Sequence, residues 1–307
     1  MLRFAMRRLL ASIPTLLVLI TLAFFMMRLA PGGPFDKERS LLPEIEAAIN
    51  AAYHLDEPLW QQYLRYMGGL LQGDLGPSFQ YSGFTVTELI VQGFPVSLAI
   101  GLSSLLLALL VGGAAGIWAA TRQNRFGDWS VMTLSMAGIS LPSYVVAPLM
   151  ILLFAVTLHW LPAGGWEQGR YLDMLMPVLA LALPQIAYIA RLMRGSMIEV
   201  LRSNFIRTAR AKGLPERQVI LRHALKPAMM PILSFLGPTA AGVITGSVVI
   251  EQIFGIPGLG RYFVQAAINR DYTLVLGVVI FYGLLIVLFN FLVDLLYGAL
   301  DPRVRVE

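Results

Sequence analysis

Asn204-Phe-Ile-Arg-Thr-Ala-Arg-Ala-Lys-Gly-Leu-Pro-Glu-Arg-Gln-Val-Ile-Leu-Arg-His-Ala-Leu-Lys-Pro227 is a basic, polar stretch between two apolar runs. It divides at Gly213. Ahead of the glycine, Leu201, Phe205 and Ala209 recur every four residues and predict a narrow apolar stripe on a helix, with Arg202, Arg207 and Arg210 off it. Gly213 permits the left-handed turn that stops a helix. Leu214-Pro215-Glu216 then opens a second short helix, since proline and glutamate both suit a first turn. The segment 194–228 thus reads as a helix–glycine–helix hook. A hook is more than the placing of positive charge requires.

The surroundings of the hook are those of a membrane protein. Of 307 residues, 57% are hydrophobic and 13% charged, and the mean hydropathy is +0.70. A soluble domain of this length needs far more charge on its surface. The apolar residues fall into long runs, which predict spanning helices and exclude the alternating pattern of a transmembrane barrel. With no cysteine, disulfides, thiolate chemistry and cysteine-ligated metals are excluded. His54, His159 and His223 are scattered, and no metal cluster forms from them.

Six spans are expected, at about 9–29, 96–120, 130–158, 174–192, 231–250 and 273–297. The first is preceded by Arg3, Arg7 and Arg8. It is longer than the core of a cleaved leader and has no small-x-small site after it, so it reads as an uncleaved helix. An even number of spans puts both termini on one side. That side holds sixteen of the 23 Lys and Arg residues, and eight acidic residues lie in the opposite segment 31–94. By the positive-inside rule the basic side, with both termini, is cytoplasmic. The net charge of +5 is therefore a topology signal, and nucleic acid is not an expected partner.

The external segment 31–94 is too long for a connector. Short helices are expected over Pro43–Tyr53 and Pro58–Met67, the latter with Leu59, Tyr63 and Met67 on one face, followed by a turn at Gly73-Asp-Leu-Gly-Pro77. Glu251 and Asp294 lie at or inside span ends and are candidates for the transport pathway. Gly112-x-x-x-Gly116 and Gly242-x-x-x-Gly246 suit close helix packing. Gly138-Ile-Ser-Leu-Pro142 marks a kink in the third span, and Phe254-Gly-Ile-Pro-Gly-Leu-Gly260 a tight re-entrant turn. No Gly-x-x-x-x-Gly-Lys-Ser/Thr motif occurs, so this chain is not expected to hydrolyse ATP.

Several motifs together carry a resemblance: Phe24-Phe-Met-Met-Arg-Leu-Ala-Pro-Gly-Gly33, Gly73-Asp-Leu-Gly-Pro-Ser78, Ala190-Arg-Leu-Met-Arg-Gly-Ser-Met197, Phe205-Ile-Arg-Thr-Ala-Arg-Ala-Lys-Gly213, His223-Ala-Leu-Lys-Pro227 and Glu251-Gln-Ile-Phe-Gly-Ile-Pro-Gly-Leu-Gly260. Over essentially its full length the sequence resembles the B-type permeases of the dipeptide/oligopeptide/nickel family of bacterial ATP-binding-cassette (ABC) importers. The resemblance implies an all-α polytopic protein of the type I ABC importer architecture, with six transmembrane helices and a small helical external subdomain. The divisions would be 1–30 for the tail and first span, 31–95 for a periplasmic subdomain and 96–307 for the permease core with its cytoplasmic coupling loop 194–228. In that family the hook seats in a groove of a separate ATPase, which makes Arg207, Thr208, Ala209, Lys212, Gly213 and Leu214 the coupling candidates. The general motif Glu-Ala-Ala, three residues, then Gly is met here by Arg207-Thr208-Ala209, so the glutamate is replaced.

The implied assembly comprises this chain, a homologous second permease, one or two ABC ATPase subunits that bind ATP and magnesium, and a periplasmic peptide-binding protein, all at the bacterial inner membrane. Oligopeptides are favoured as substrate; dipeptides and nickel are the alternatives within the family. Outside it stand a proton-coupled secondary transporter using Asp294 and a membrane receptor without transport. The sequence does not locate the substrate path.

Overall fold

The computed structural model describes residues 2–29, 54–81, 83–167 and 170–300. The described residues are almost wholly helical; one isolated antiparallel bridge joins Pro77 to Thr85. Helix α1 is Leu2–Leu29, α2 Leu59–Leu71, α3 Val86–Thr121, α4 Phe126–Ser140 and α5 Ser143–Met150, the last continued by a π-helical stretch Ile151–Thr157. Then follow α6 Tyr171–Leu201, α7 Asn204–Ala211, α8 Glu216–Gln218, a π-helical stretch Val219–Ala224 and α9 Leu225–Ala228. The chain closes with α10 Met230–Gly246, α11 Val248–Phe254, α12 Leu259–Ile268 and α13 Tyr272–Leu300. The helix expected over 43–53 lies outside the described residues.

Among the described residues, five stretches are long and apolar enough to cross a membrane: Met6–Leu29, Val86–Thr121, Tyr171–Leu201, Met230–Phe254 and Tyr272–Leu295. The expected third span is instead a pair, α4 and α5 with its π-helical continuation, bent by 98°. Gly138-Ile-Ser-Leu-Pro142 therefore gives a sharp break where a kink within one span was expected. Pro142 caps α5 in extended geometry, ψ 140°, as its ring and missing N–H disfavour a continuous helix. At 15 residues, α4 reaches only about 22 Å, short of the roughly 30 Å hydrocarbon core. The pair nevertheless joins the two ends of the bundle. It starts beside Arg194 near the end of α6, and the following loop reaches Phe254, whose carbonyl accepts from the Gly165 amide at 2.7 Å.

Helix α3 begins ten residues before its expected start. Thr85 accepts from the Glu88 amide, and the Glu88 carboxylate accepts from the Thr85 amide. This capping box sets the helix start ahead of Gly93 and Pro95, and Pro95 is carried inside the helix. Helices α3 and α6 form the centre of the bundle. A Cβ at Gly112 would stand 2.7 Å from the Ile186 carbonyl oxygen, and one at Gly116 2.6 Å from that of Ala190, so this glycine pair is where the helices close on each other. The second pair behaves differently. A Cβ at Gly242 would meet nothing within 4 Å, and Gly242 faces open space.

Two ends of the molecule can be distinguished. At one, Ala120 of α3, Met193 and Met197 of α6, and Ile206, Ala209, Val219, Ala224 and Ala228 of the hook share one buried cluster. At the far end, Val86 and Leu89 of α3 pack with Leu259 of α12 and with Leu274, Val275 and Val278 of α13. Helices α1 and α13 run side by side, with Arg8 and Asp294 paired at 3.3 Å and Ile20 and Phe24 buried against Leu276 and Ile280. Helix α2 caps this pair. Its packed face is Tyr63, Tyr66, Met67 and Leu70 with the buried Gln62, whereas Leu59, expected on the same face as Tyr63, is exposed.

Candidate functional site: a hook and a groove

The hook is built by a change of helix. α6 ends at Leu201, and Ser203 takes extended geometry (ψ 155°) before α7 starts at Asn204. That break resets the helical phase. The stripe expected through Leu201, Phe205 and Ala209 is therefore not the buried one. Ile206 and Ala209 are buried, and Phe205 is 49% exposed. Gly213 follows with φ +79°, its amide donating to the Arg210 carbonyl at 2.9 Å. No atom would obstruct a Cβ there, so glycine is required by the left-handed backbone rather than by crowding.

The two limbs are tied across this turn. The Arg210 guanidinium donates to both Glu216 carboxylate oxygens, at 2.6 and 3.1 Å. That fork holds the Glu216 carboxyl below its ordinary range. Val219, Ala224 and Ala228 seat the second limb on the same cluster as Ile206, with Leu214 packed partly against it.

Of the six coupling candidates, Arg207, Thr208, Lys212 and Gly213 are brought together on the exposed surface; Leu214 is half-buried and Ala209 faces inward. Phe205 and Leu221, 49% and 51% exposed, add apolar surface to the outside of the hook. Sequence reading missed Phe205 as a surface residue because it counted the stripe through a helix boundary.

A groove opens beside the hook. Three hollows of about 410, 550 and 550 Å³ overlap along α6 and α10. Tyr188 and Phe235 lie where they meet, their ring centroids 5.9 Å apart. Towards the far end the lining is Ser143, Gln185, Thr239 and Gly242 among apolar residues. Towards the hook it is Arg191, Ser196 and Glu199. The Arg191 guanidinium carbon lies 5.4 Å from the centre of the Tyr188 ring, a cation–π distance.

Gln185, Tyr188, Ser196 and Glu199, with Leu192 between them, recur every three or four residues, so one face of α6 carries polar groups along a length that would otherwise face lipid. Polar side chains at membrane depth belong against protein or a water-filled path. This periodicity was present in the sequence, but a reading that ended the span at 192 cut the stripe in half.

The two acidic candidates sit elsewhere. Glu251 is fully buried inside the turn that follows α11. Its carboxylate accepts from the Ser247 hydroxyl and, at 2.8 Å, from the Gly260 amide. A Cβ on Gly258 or Gly260 would stand 2.3 and 2.9 Å from its Oε2. The glycines of that loop make room for a carboxylate, and Gly255 supplies the left-handed turn at φ +64°. Asp294 pairs with Arg8 between α13 and α1. Neither residue lines the groove.

Residues 112–306 match the family of binding-protein-dependent transport system inner membrane components, and residues 1–101 match the N-terminal part of such membrane components. The chain is 55% identical over 305 residues to the oligopeptide transport system permease protein OppB of Escherichia coli (strain K12), covering 99% of this chain and 100% of that one. Identity to the protein of the same name from Haemophilus influenzae is 52% over 305 residues, with the same coverage. The dipeptide transport system permease protein DppB of Bacillus subtilis is 42% identical over 307 residues, covering 100% of this chain and 99% of that one. Among solved structures, a chain of the inward-facing MetNI methionine ABC transporter superposes with a TM-score of 0.56 at 20% identity, over 69% of this chain and 96% of that one. That likeness establishes a shared fold. Matched to the family along both of its parts, and to full-length permeases at more than half of all positions, this multi-pass membrane protein belongs to the binding-protein-dependent transport system inner membrane components.

Proposed function

We propose that this chain is the permease subunit of an ATP-driven oligopeptide importer, that its groove forms half of the translocation path, and that its hook couples the path to separate ATPase subunits. The observation that carries this reading is the hook itself. It is an exposed basic knuckle on a rigid two-limbed base, packed directly against α3 and α6 and continuous with the helices that line the groove. A push on such a base moves the lining helices as near-rigid bodies, because packed interfaces shift between discrete arrangements. ATP and magnesium are assigned to the ATPase subunits, since this chain has no phosphate-binding loop. A homologous second permease closes the open side of the groove, and a periplasmic binding protein delivers the peptide. The mixed lining suits peptides of varied sequence: neutral hydrogen-bonding groups and aromatic rings accept many side chains, without a dense charged site.

Both ends of the described chain approach the hook end, since α13 runs there from the far end and α1 pairs with it through Arg8 and Asp294. With the basic residues gathered at that end, we place it, and both termini, in the cytoplasm. Asp294, the carboxylate named for proton carriage, lies off the groove and is paired with a cation; the carboxylate in the groove lining, Glu199, is exposed at the hook end rather than buried within the span. Both placements favour coupling to ATP.

Reconstituting the complex and measuring uptake of labelled peptides of graded length tests the whole reading. Uptake should require ATP, stop with vanadate and extend beyond dipeptides. Uptake confined to dipeptides or to nickel would reassign the substrate within the family. Uptake that follows a proton gradient without ATP would overturn the coupling assignment.

A further inference from the structure

Helix α2 has three faces where a cap needs two. Tyr63, Tyr66, Met67 and Leu70 face α1 and α13. Gln61 and Arg65 face outward on another side, Arg65 held by Glu57 at 2.6 Å. Between these faces runs a third, made of Trp60, Leu64 and Leu71, which are 60%, 59% and 86% exposed. At 100° per residue these three side chains fall within an arc of about 40°. That strip is contiguous with the packed face on one side and with the polar face on the other.

The depth of α2 is fixed by its neighbours. Arg8 and Arg28 bracket a run without charges whose length, at 1.5 Å per residue, is about 30 Å and matches a hydrocarbon core. α2 does not sit beyond Arg28. Its Tyr63 hydroxyl meets Thr21 Oγ1 at 2.8 Å, and the Tyr63 ring packs on Phe24 and Phe25 at centroid distances of 5.4 and 5.6 Å. Phe24 and Ile20 lie about 6 and 12 Å inside Arg28 along the helix. On α13, Leu276 and Ile280 of the same cluster lie about 6 and 12 Å inside its start at Tyr272. On α1 itself, Leu22, Met26 and Leu29 are 58%, 71% and 69% exposed, an apolar surface at the same depth.

We infer that α2 is an interfacial helix that lies in the bilayer leaflet opposite the hook, with Trp60, Leu64 and Leu71 buried in lipid at the boundary of headgroups and acyl chains. Gln61, Arg65 and the Arg65–Glu57 pair face the water above it. The indole of Trp60 suits this level, with an apolar body and one N–H for the headgroups. An amphipathic helix held at such a boundary keeps the segment after the first span against the membrane surface instead of free above it. The inference rests on depth and exposure and is independent of what is transported.

The chain has no cysteine, so single labels are direct. Leu64→Cys and Arg65→Cys, each carrying a nitroxide in the assembled complex in phosphatidylethanolamine/phosphatidylglycerol nanodiscs, sample the strip and the polar face of one helix at adjacent positions. The complex with the unsubstituted chain supplies the blank. The ratio of relaxation by oxygen to relaxation by a water-soluble nickel chelate should be several-fold higher at 64 than at 65. Leu71→Cys should match 64, which guards against local damage by the first label. Equal ratios at 64 and 65 would place the strip in water. A label at 64 shielded from both reagents would place it against protein, such as a second permease. Either result overturns the inference.

Discussion

Gly213 shows how one residue type can be required by conformation alone. Its surroundings are empty, so substitution meets no clash; the obstacle is φ +79°, which costs a β-branched residue about 1–2 kcal/mol. Gly213→Val is therefore expected to re-aim the second limb while leaving membrane insertion intact. Uptake by the complex should fall sharply, and Gly213→Asn should retain more activity than valine because asparagine tolerates the left-handed region. Normal uptake by the valine variant at normal abundance would remove the turn from the coupling path. Glu251 makes the opposite point. It is an ionisable group near a span end, and each of its carboxylate oxygens accepts a hydrogen bond, one from the Ser247 hydroxyl and one from the Gly260 amide. A buried carboxylate with these partners orders a loop, and removing it would strand the Gly260 N–H at a cost of about 1–3 kcal/mol.

At the scale of elements, the hook is held as a unit by apolar seating beneath and one ion pair above. Arg210 and Glu216 are 42% and 56% exposed at the side chain, so the pair contributes little to stability. Its effect is on the angle between the limbs. Because Glu216 titrates below its ordinary range, the pair is complete at neutral pH and is lost as pH falls through that lowered value. Arg210→Glu should reduce the ATPase stimulation produced by loaded binding protein while changing the melting temperature by no more than a degree or two, roughly what a surface pair is worth. The exchange Arg210→Glu with Glu216→Arg should restore most of the stimulation. If the double variant is as impaired as the single one, Arg210 acts through the ATPase surface and not through Glu216.

For the molecule as a whole, the bent pair α4–α5 decides the topology. If it carries the chain across once, the spans number six and both termini share a side; if it turned back, there would be five. Thr121 lies at the hook end, at the close of α3, and the exposed Ala163 lies in the loop whose Gly165 bonds Phe254 at the far end. Thr121→Cys should resist an impermeant thiol reagent in intact spheroplasts and react after permeabilisation, whereas Ala163→Cys should react in both. Reaction of both residues in intact cells would make the pair re-entrant, and the reverse pattern would invert the whole protein.

Membrane residence, five of the six expected spans, the hook and its glycine were all legible from sequence, because each depends on local quantities: the length of apolar runs and the φ that glycine permits. The motif resemblance added the family, which the full-length relatives bear out. What the sequence could not decide was phase and partnership. Whether Phe205 is inside or outside depends on a helix break at Arg202–Ser203, and that break shifts every later side chain by a fraction of a turn. Which glycine pair packs depends on what lies opposite: Ile186 and Ala190 stand against Gly112 and Gly116, and open space faces Gly242. The groove exists only because α6 and α10, separated by the hook in sequence, leave a polar face uncovered between them. These are properties of juxtaposition, and only the tertiary structure supplies the neighbour that turns a pattern into a contact or an opening.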